Sequence, residues 1–89
     1  MRFVSEPTNY HHEKIQYDLC HYLRRFTLLQ PVITPSHQLR QDLGLSEYEY
    51  LETIVFLELQ YQTTLPDDVL TPALTVGELS QLINCYASA

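Results

Sequence analysis

Four groups of side chains in this 89-residue chain have the types and spacing to do chemistry. His11, His12 and His21, with Glu13 or Asp18, offer the nitrogen and oxygen donors that several transition metals accept. Only His21 shares a helical face with Asp18 or Tyr17, and no paired spacing recurs, so solvated histidines beside a helix start explain the group and no metal is expected. Cys20 adjoins His21, but neighbouring helix positions diverge by about 100°, which argues against a thiol–imidazole nucleophile pair. The carboxylates of Asp67 and Asp68 fit the start of a short helical turn, where acids complement the positive end of the backbone dipole. The fourth group, Ser46 with Glu49, has the S-x-x-E spacing of a capping box, which gives the hydroxyl a structural task at a helix start. No glycine-rich phosphate loop, nucleophile elbow or basic nucleic-acid patch is present. The expectation is therefore a protein that is not an enzyme and has no catalytic residue.

The composition calls for one small helical domain spanning residues 1–89. Hydrophobic residues make up 45% and only two are glycine, so the chain can bury a single core and leans helical. Residues 1–9 read as an irregular arm, and Pro7, Thr8 and Asn9 supply a helix start. From about 10 to 26, Ile15, Leu19, Tyr22, Leu23 and Phe26 recur at three- and four-residue steps, one face of an amphipathic helix. Residues 27–45 form a long loop interrupted by Pro31 and Pro35, in which Val32, Ile33 and Leu39 are expected to turn inward. A second helix runs from 46 to 61, a short one over about 67–70, and a last one over 75–86, opened by a second capping box at Thr75 and Glu78. Its apolar face comprises Val76, Leu79, Leu82, Ile83 and Tyr86, with a frayed tail from Ala87.

Charge is divided unevenly along the chain. Residues 1–40 hold five Lys or Arg and three acids, whereas residues 41–89 hold eight acids and no Lys or Arg. An acidic field of this kind repels nucleic acid and anionic membrane and steers a protein partner with a basic patch. No segment approaches the roughly 20 apolar residues a membrane span needs, and the first ten residues lack an apolar signal-peptide core. Cys20 and Cys85 fit no metal spacing and read as reduced thiols, so a cytoplasmic location without membrane insertion is expected.

Most of the information lies in the helix from 46 to 61. At about 100° per residue, Tyr50, Ile54, Leu57 and Tyr61 form one apolar stripe, and Tyr48, Leu51, Val55 and Leu59 form a second. One stripe suffices for a core. The other is either buried by neighbouring helices or exposed as a docking strip rimmed by Glu47, Glu52 and Glu58. Tyr50 is assigned to the core, and Tyr48 fits either role.

This order of elements resembles the acyl carrier proteins and the related peptidyl carrier domains. The residues that carry the resemblance are Ile33-Thr34, Leu39, Asp42-Leu43-Gly44, the helix from Ser46, Leu65-Pro66-Asp67-Asp68, and Leu74-Thr75-Val76 leading to Ile83. It implies an all-α, four-helix bundle with three longer helices, one short helix and a long loop between the first and second. Carriers have Gly-x-Asp-Ser-Leu at the start of the central helix, and that Ser bears 4′-phosphopantetheine. The matching stretch here is Gly44-Leu45-Ser46-Glu47-Tyr48, so Ser46 falls on the family's Asp and Glu47 on its modified Ser. A carboxylate cannot form that phosphodiester by the usual transferase chemistry, and no cofactor is expected.

The resemblance thus implies a non-enzymatic interaction module that docks a basic partner from acyl or peptide synthesis through the central helix. Its contact residues would be Glu47, Tyr48, Leu51, Glu52, Val55 and Glu58, in a monomer or a weak homodimer. The alternative is a working carrier modified at Ser46. It requires a loop one residue shorter, which rotates every later helix residue by about 100° from the family pattern.

Overall fold

The computed structural model describes residues 8–27 and 32–87, with side chains described from Glu13 onward. It is helical, with α1 at Thr8–Leu23, α2 at Glu47–Tyr61 and α3 at Val76–Ala87, and a single 3₁₀ turn at Asp67–Val69. Residues 1–7 of the expected arm, Pro31 and the last two residues lie outside the described residues.

Helix α1 differs from the expected span at both ends. Thr8 and Asn9 are already helical, and the helix stops at Leu23, three residues before Phe26. The early stop has a local cause. The Phe26 amide donates to the Leu23 carbonyl at 2.9 Å and the Arg25 amide to Tyr22 at 3.3 Å, so the last turn tightens to i→i−3 bonds. The Thr27 hydroxyl donates to the same Leu23 carbonyl at 3.0 Å and closes the end. Ile15, Leu19 and Leu23 are buried, while Tyr22 and Phe26 are half-buried at the edge of the core.

The start of α2 follows the expected cap. The Ser46 hydroxyl accepts from the Glu49 amide at 3.1 Å, and the Glu49 carboxylate accepts from the Ser46 amide at 3.0 Å. Its end has no glycine. Gln62 adopts a left-handed conformation (φ 53°), a geometry that side chains other than glycine rarely take. Glu58 holds it there, because its carbonyl accepts from the Gln62 and Thr63 amides and its carboxylate accepts from the Leu65 amide at 2.7 Å.

The loop between α1 and α2 is tied to the start of α3. The first amides of a helix lack partners within the helix. Here the Val76 amide donates to the His37 carbonyl and the Gly77 amide to the Pro35 carbonyl, both at 2.9 Å. The Glu78 amide donates to the Thr75 hydroxyl at 3.1 Å, in the second capping box. Gly77 is required by this close approach, since a Cβ there would lie 3.1 Å from Pro35 Cβ and 3.2 Å from its carbonyl oxygen. The Leu39 amide bonds Leu74 alongside, so the loop delivers Leu39, Leu43 and Leu45 into the core. Ile33 packs on the core edge, but Val32 is 60% exposed, contrary to expectation, because the tie to α3 begins beyond it, at Pro35.

The core is completed by Tyr50, Ile54 and Leu57 of α2, by Leu65 and Leu74, and by Val76, Leu79 and Ile83 of α3. Of the expected α3 face, Leu82 packs against this core from its edge and only Tyr86 lies outside it. Leu82 is half-buried and Tyr86 is 40% exposed, while Ser80 and Asn84 occupy buried positions instead. The Ser80 hydroxyl is satisfied by the Val76 carbonyl at 3.0 Å, which lets a polar residue sit in the buried part of α3.

Candidate functional site on the outer face of the second helix

The two stripes of α2 have opposite environments. Tyr50, Ile54 and Leu57 are buried, and Tyr61 packs against the core from its edge. On the other side Tyr48, Leu51, Val55 and Leu59 are 73%, 47%, 49% and 75% exposed. Periodicity left burial and exposure of this second stripe open. The fold leaves it exposed, because α1, α3 and the loop all pack on one side of α2.

The acids expected to rim the stripe fall into different roles. Glu47 is exposed in the first turn of α2, and Glu52 is half-buried beside the stripe. Glu58 is half-buried too, with its carboxylate held on the Leu65 amide. Ser46 is exposed, but its hydroxyl oxygen is engaged as the helix cap. Glu47 therefore shares the rim with Glu52, while Glu58 is drawn toward the 62–65 turn.

Two features at the ends of the stripe had no signal in the sequence. At the α2 start, Arg40 crosses from the loop and donates to the Leu45 carbonyl at 3.0 Å. A cleft of about 410 Å³ runs from Arg40 past Glu47, Tyr50 and Leu51 to Asp67 and Leu70. The Tyr50 hydroxyl donates to the Thr71 carbonyl at 3.0 Å, and burial raises its pKa against the smaller opposing pull of Arg40. Toward the other end, Phe56 stacks on Tyr22 of α1 with ring centroids 4.1 Å apart, and the Arg25 guanidinium lies 4.4 Å over the Tyr22 ring. Spacing within one helix could not disclose these contacts, which join residues distant in sequence.

The remaining chemical groups are accounted for locally. The Asp18 carboxylate accepts from Lys14 at 3.2 Å and from the Tyr61 hydroxyl at 2.5 Å, which links α1 to the end of α2. Burial, then the hydrogen bond to Asp18 and its charge, raise the pKa of Tyr61 well above the ordinary range. Cys20 is half-buried and its pKa is raised by burial, with Arg24 opposing more weakly, so the thiolate a nucleophile needs is disfavoured. The ring of His21 stacks against Tyr17 at 6.2 Å. Cys20 and Cys85 are free thiols. Among the described residues, no three His, Cys, Asp or Glu side chains are grouped to hold a metal ion, and the side chains of His11 and His12 lie outside that description. No helix among the described residues is long and apolar enough to cross a membrane.

Comparison with protein families, with curated proteins and with solved structures finds no match to this chain.

Proposed function

We propose that this chain is an acyl-carrier-like docking module that bears no 4′-phosphopantetheine and binds a basic protein partner through the outer face of α2. The observation that carries the reading is the exposed stripe of Tyr48, Leu51, Val55 and Leu59 on a helix with four acids and no Lys or Arg. An apolar strip with an acidic rim suits a groove lined by apolar and basic side chains. The carrier-like bundle is part of the proposal. In chain order, the 3₁₀ turn at Asp67–Val69 stands where carriers have their short third helix. The resemblance adds that Glu47 occupies the position of the cargo-bearing Ser, and that the partner is an enzyme of acyl or peptide synthesis.

A second reading, a carrier modified at Ser46, rests on the exposure of that residue. Against it stands the capping bond of the Ser46 hydroxyl. Incubation with coenzyme A and a promiscuous phosphopantetheinyl transferase separates the two by intact mass. The docking module keeps its mass. A gain of one phosphopantetheine that disappears in Ser46→Ala would establish the carrier. Glu47→Ser is the companion variant, and its modification would support the alignment of position 47 with the carrier serine.

A further inference from the structure

The docking reading of α2 does not say what covers the outer stripe when no other protein is bound. We infer that a second copy of this chain does so, in a two-fold dimer with antiparallel α2 helices, an inference that rests on that reading. The argument is one of charge placement. Helix α2 carries Glu47, Glu49, Glu52 and Glu58 and no base. Arg24 and Arg25, just past the end of α1, line a cleft of about 460 Å³ together with Asp18, whose carboxylate Lys14 and Tyr61 engage, and with Phe56 and Gln60 in the C-terminal half of α2.

At about 100° per residue, Glu52 and Phe56 lie on the same flank of the stripe, one turn apart. That flank is therefore acidic toward the N-terminal half of α2 and basic toward its C-terminal half, where Arg25 sits over the Tyr22 ring that stacks on Phe56. A two-fold axis perpendicular to two antiparallel helices keeps the same flank of each on one side. It also sets the N-terminal half of one helix against the C-terminal half of the other. With the axis near the middle of the stripe, Tyr48 meets Leu59 of the second copy, and Leu51 and Val55 pack around the centre. Glu52 then faces Arg24 and Arg25 of the second copy, and because the contact is isologous this pairing occurs twice.

The opposite flank brings Glu47 toward Glu58 of the second copy. That repulsion is limited, since the Glu58 carboxylate is held on the Leu65 amide and Arg40 lines the cleft beside Glu47. A parallel arrangement would set the Glu47 flank of each copy against the Glu52 flank of the other, bringing Glu47 beside Glu52 and leaving the arginines only Glu58, whose carboxylate the Leu65 amide already holds. One helix face falls at the low end of the roughly 1,200 Å² that specific interfaces bury, so the dimer is weak and dependent on concentration. Salt weakens it further, because the Glu52–arginine pairing lies at the rim.

Sedimentation equilibrium from about 10 µM to about 1 mM at low salt tests the inference over the affinity range such an interface occupies. The wild type is expected to move from monomer toward dimer. The R24E/R25E double variant and Glu52→Arg are each expected to lose association roughly tenfold or more, from like charges brought together. An equimolar mixture of the two should recover the dimer, because each supplies the charge the other lacks. R24K/R25K keeps the charge and should associate like the wild type, and circular dichroism confirms that each variant is folded. A wild type that stays monomeric throughout overturns the dimer, as does a mixture of folded variants that fails to recover it. Either failure leaves docking of another protein on α2 to be judged by cross-linking at Val55.

Discussion

Helix α2 carries two apolar stripes of the same length on opposite sides, and they serve different purposes. The inner stripe, Tyr50, Ile54, Leu57 and Tyr61, meets α1, α3 and the 65–74 segment, and three of its four residues are buried. Full burial of a side chain such as Leu57 or Ile54 contributes about 1.5–3 kcal/mol, so this stripe holds the domain together. The outer stripe exposes roughly half to three-quarters of each side chain and gains little of that energy. Equal patterning can therefore have unequal consequences. Two helices, α1 and α3, and one loop cover one side of α2, and apolar residues on the other side are available to a partner.

Substitutions along the two stripes sharpen the contrast, and the largest effect belongs to the centre of the inner one. Leu57 is 0% exposed, and Leu57→Ala should destabilise the domain by about 2–5 kcal/mol in urea denaturation. Leu59→Ala, two positions along on the outer stripe, should stay within about 0.5 kcal/mol of the wild type. A loss of more than about 2 kcal/mol for Leu59→Ala would mean that the outer stripe also supports the fold.

Smaller effects separate the polar groups at the ends of α2. Ser46→Ala removes a cap and should cost about 1 kcal/mol. Tyr50→Phe deletes the hydrogen bond to Thr71 and leaves its carbonyl short of a donor, a loss of about 1 kcal/mol. Tyr48→Phe, on the exposed stripe, should change stability by less than about 0.5 kcal/mol.

The smallest effect is a slope with pH. Burial and Asp18 raise the Tyr61 pKa in the folded state, so the fold favours the neutral phenol. That contribution is complete below about pH 10, where the unfolded phenol is protonated as well. Above it the unfolded chain releases the proton while the folded chain retains it, and stability falls as pH rises. Tyr61→Phe lacks the group, so the stability difference between wild type and variant should shrink from about pH 8 to about pH 11. A constant difference would mean that Tyr61 titrates alike in both states.

Much of this architecture was legible in the sequence because it is governed by local rules. Both capping boxes form at the expected residues, since each needs only a Ser or Thr three positions before a Glu. The inner stripe was visible from its period. The early end of α1 was not, because it depends on Leu23 sharing its carbonyl between Phe26 and Thr27. Nor was the left-handed Gln62, which Glu58 holds in place of the usual glycine. Of the candidate site, the two stripes and their acids were readable, but which stripe would face outward depends on where α1 and α3 pack. Tyr22 with Phe56 and Tyr61 with Asp18 join residues 34 and 43 positions apart, beyond any spacing argument within one helix.

The central claim, that the outer face of α2 is an interaction surface, is tested most directly by photo-cross-linking in the native host. A photoreactive residue at Val55 should yield a discrete protein adduct, either with a basic partner or with a second copy. The same residue at Gln81, exposed on α3, should yield none. Adducts at Gln81 but not at Val55, or none at either position, would contradict the account.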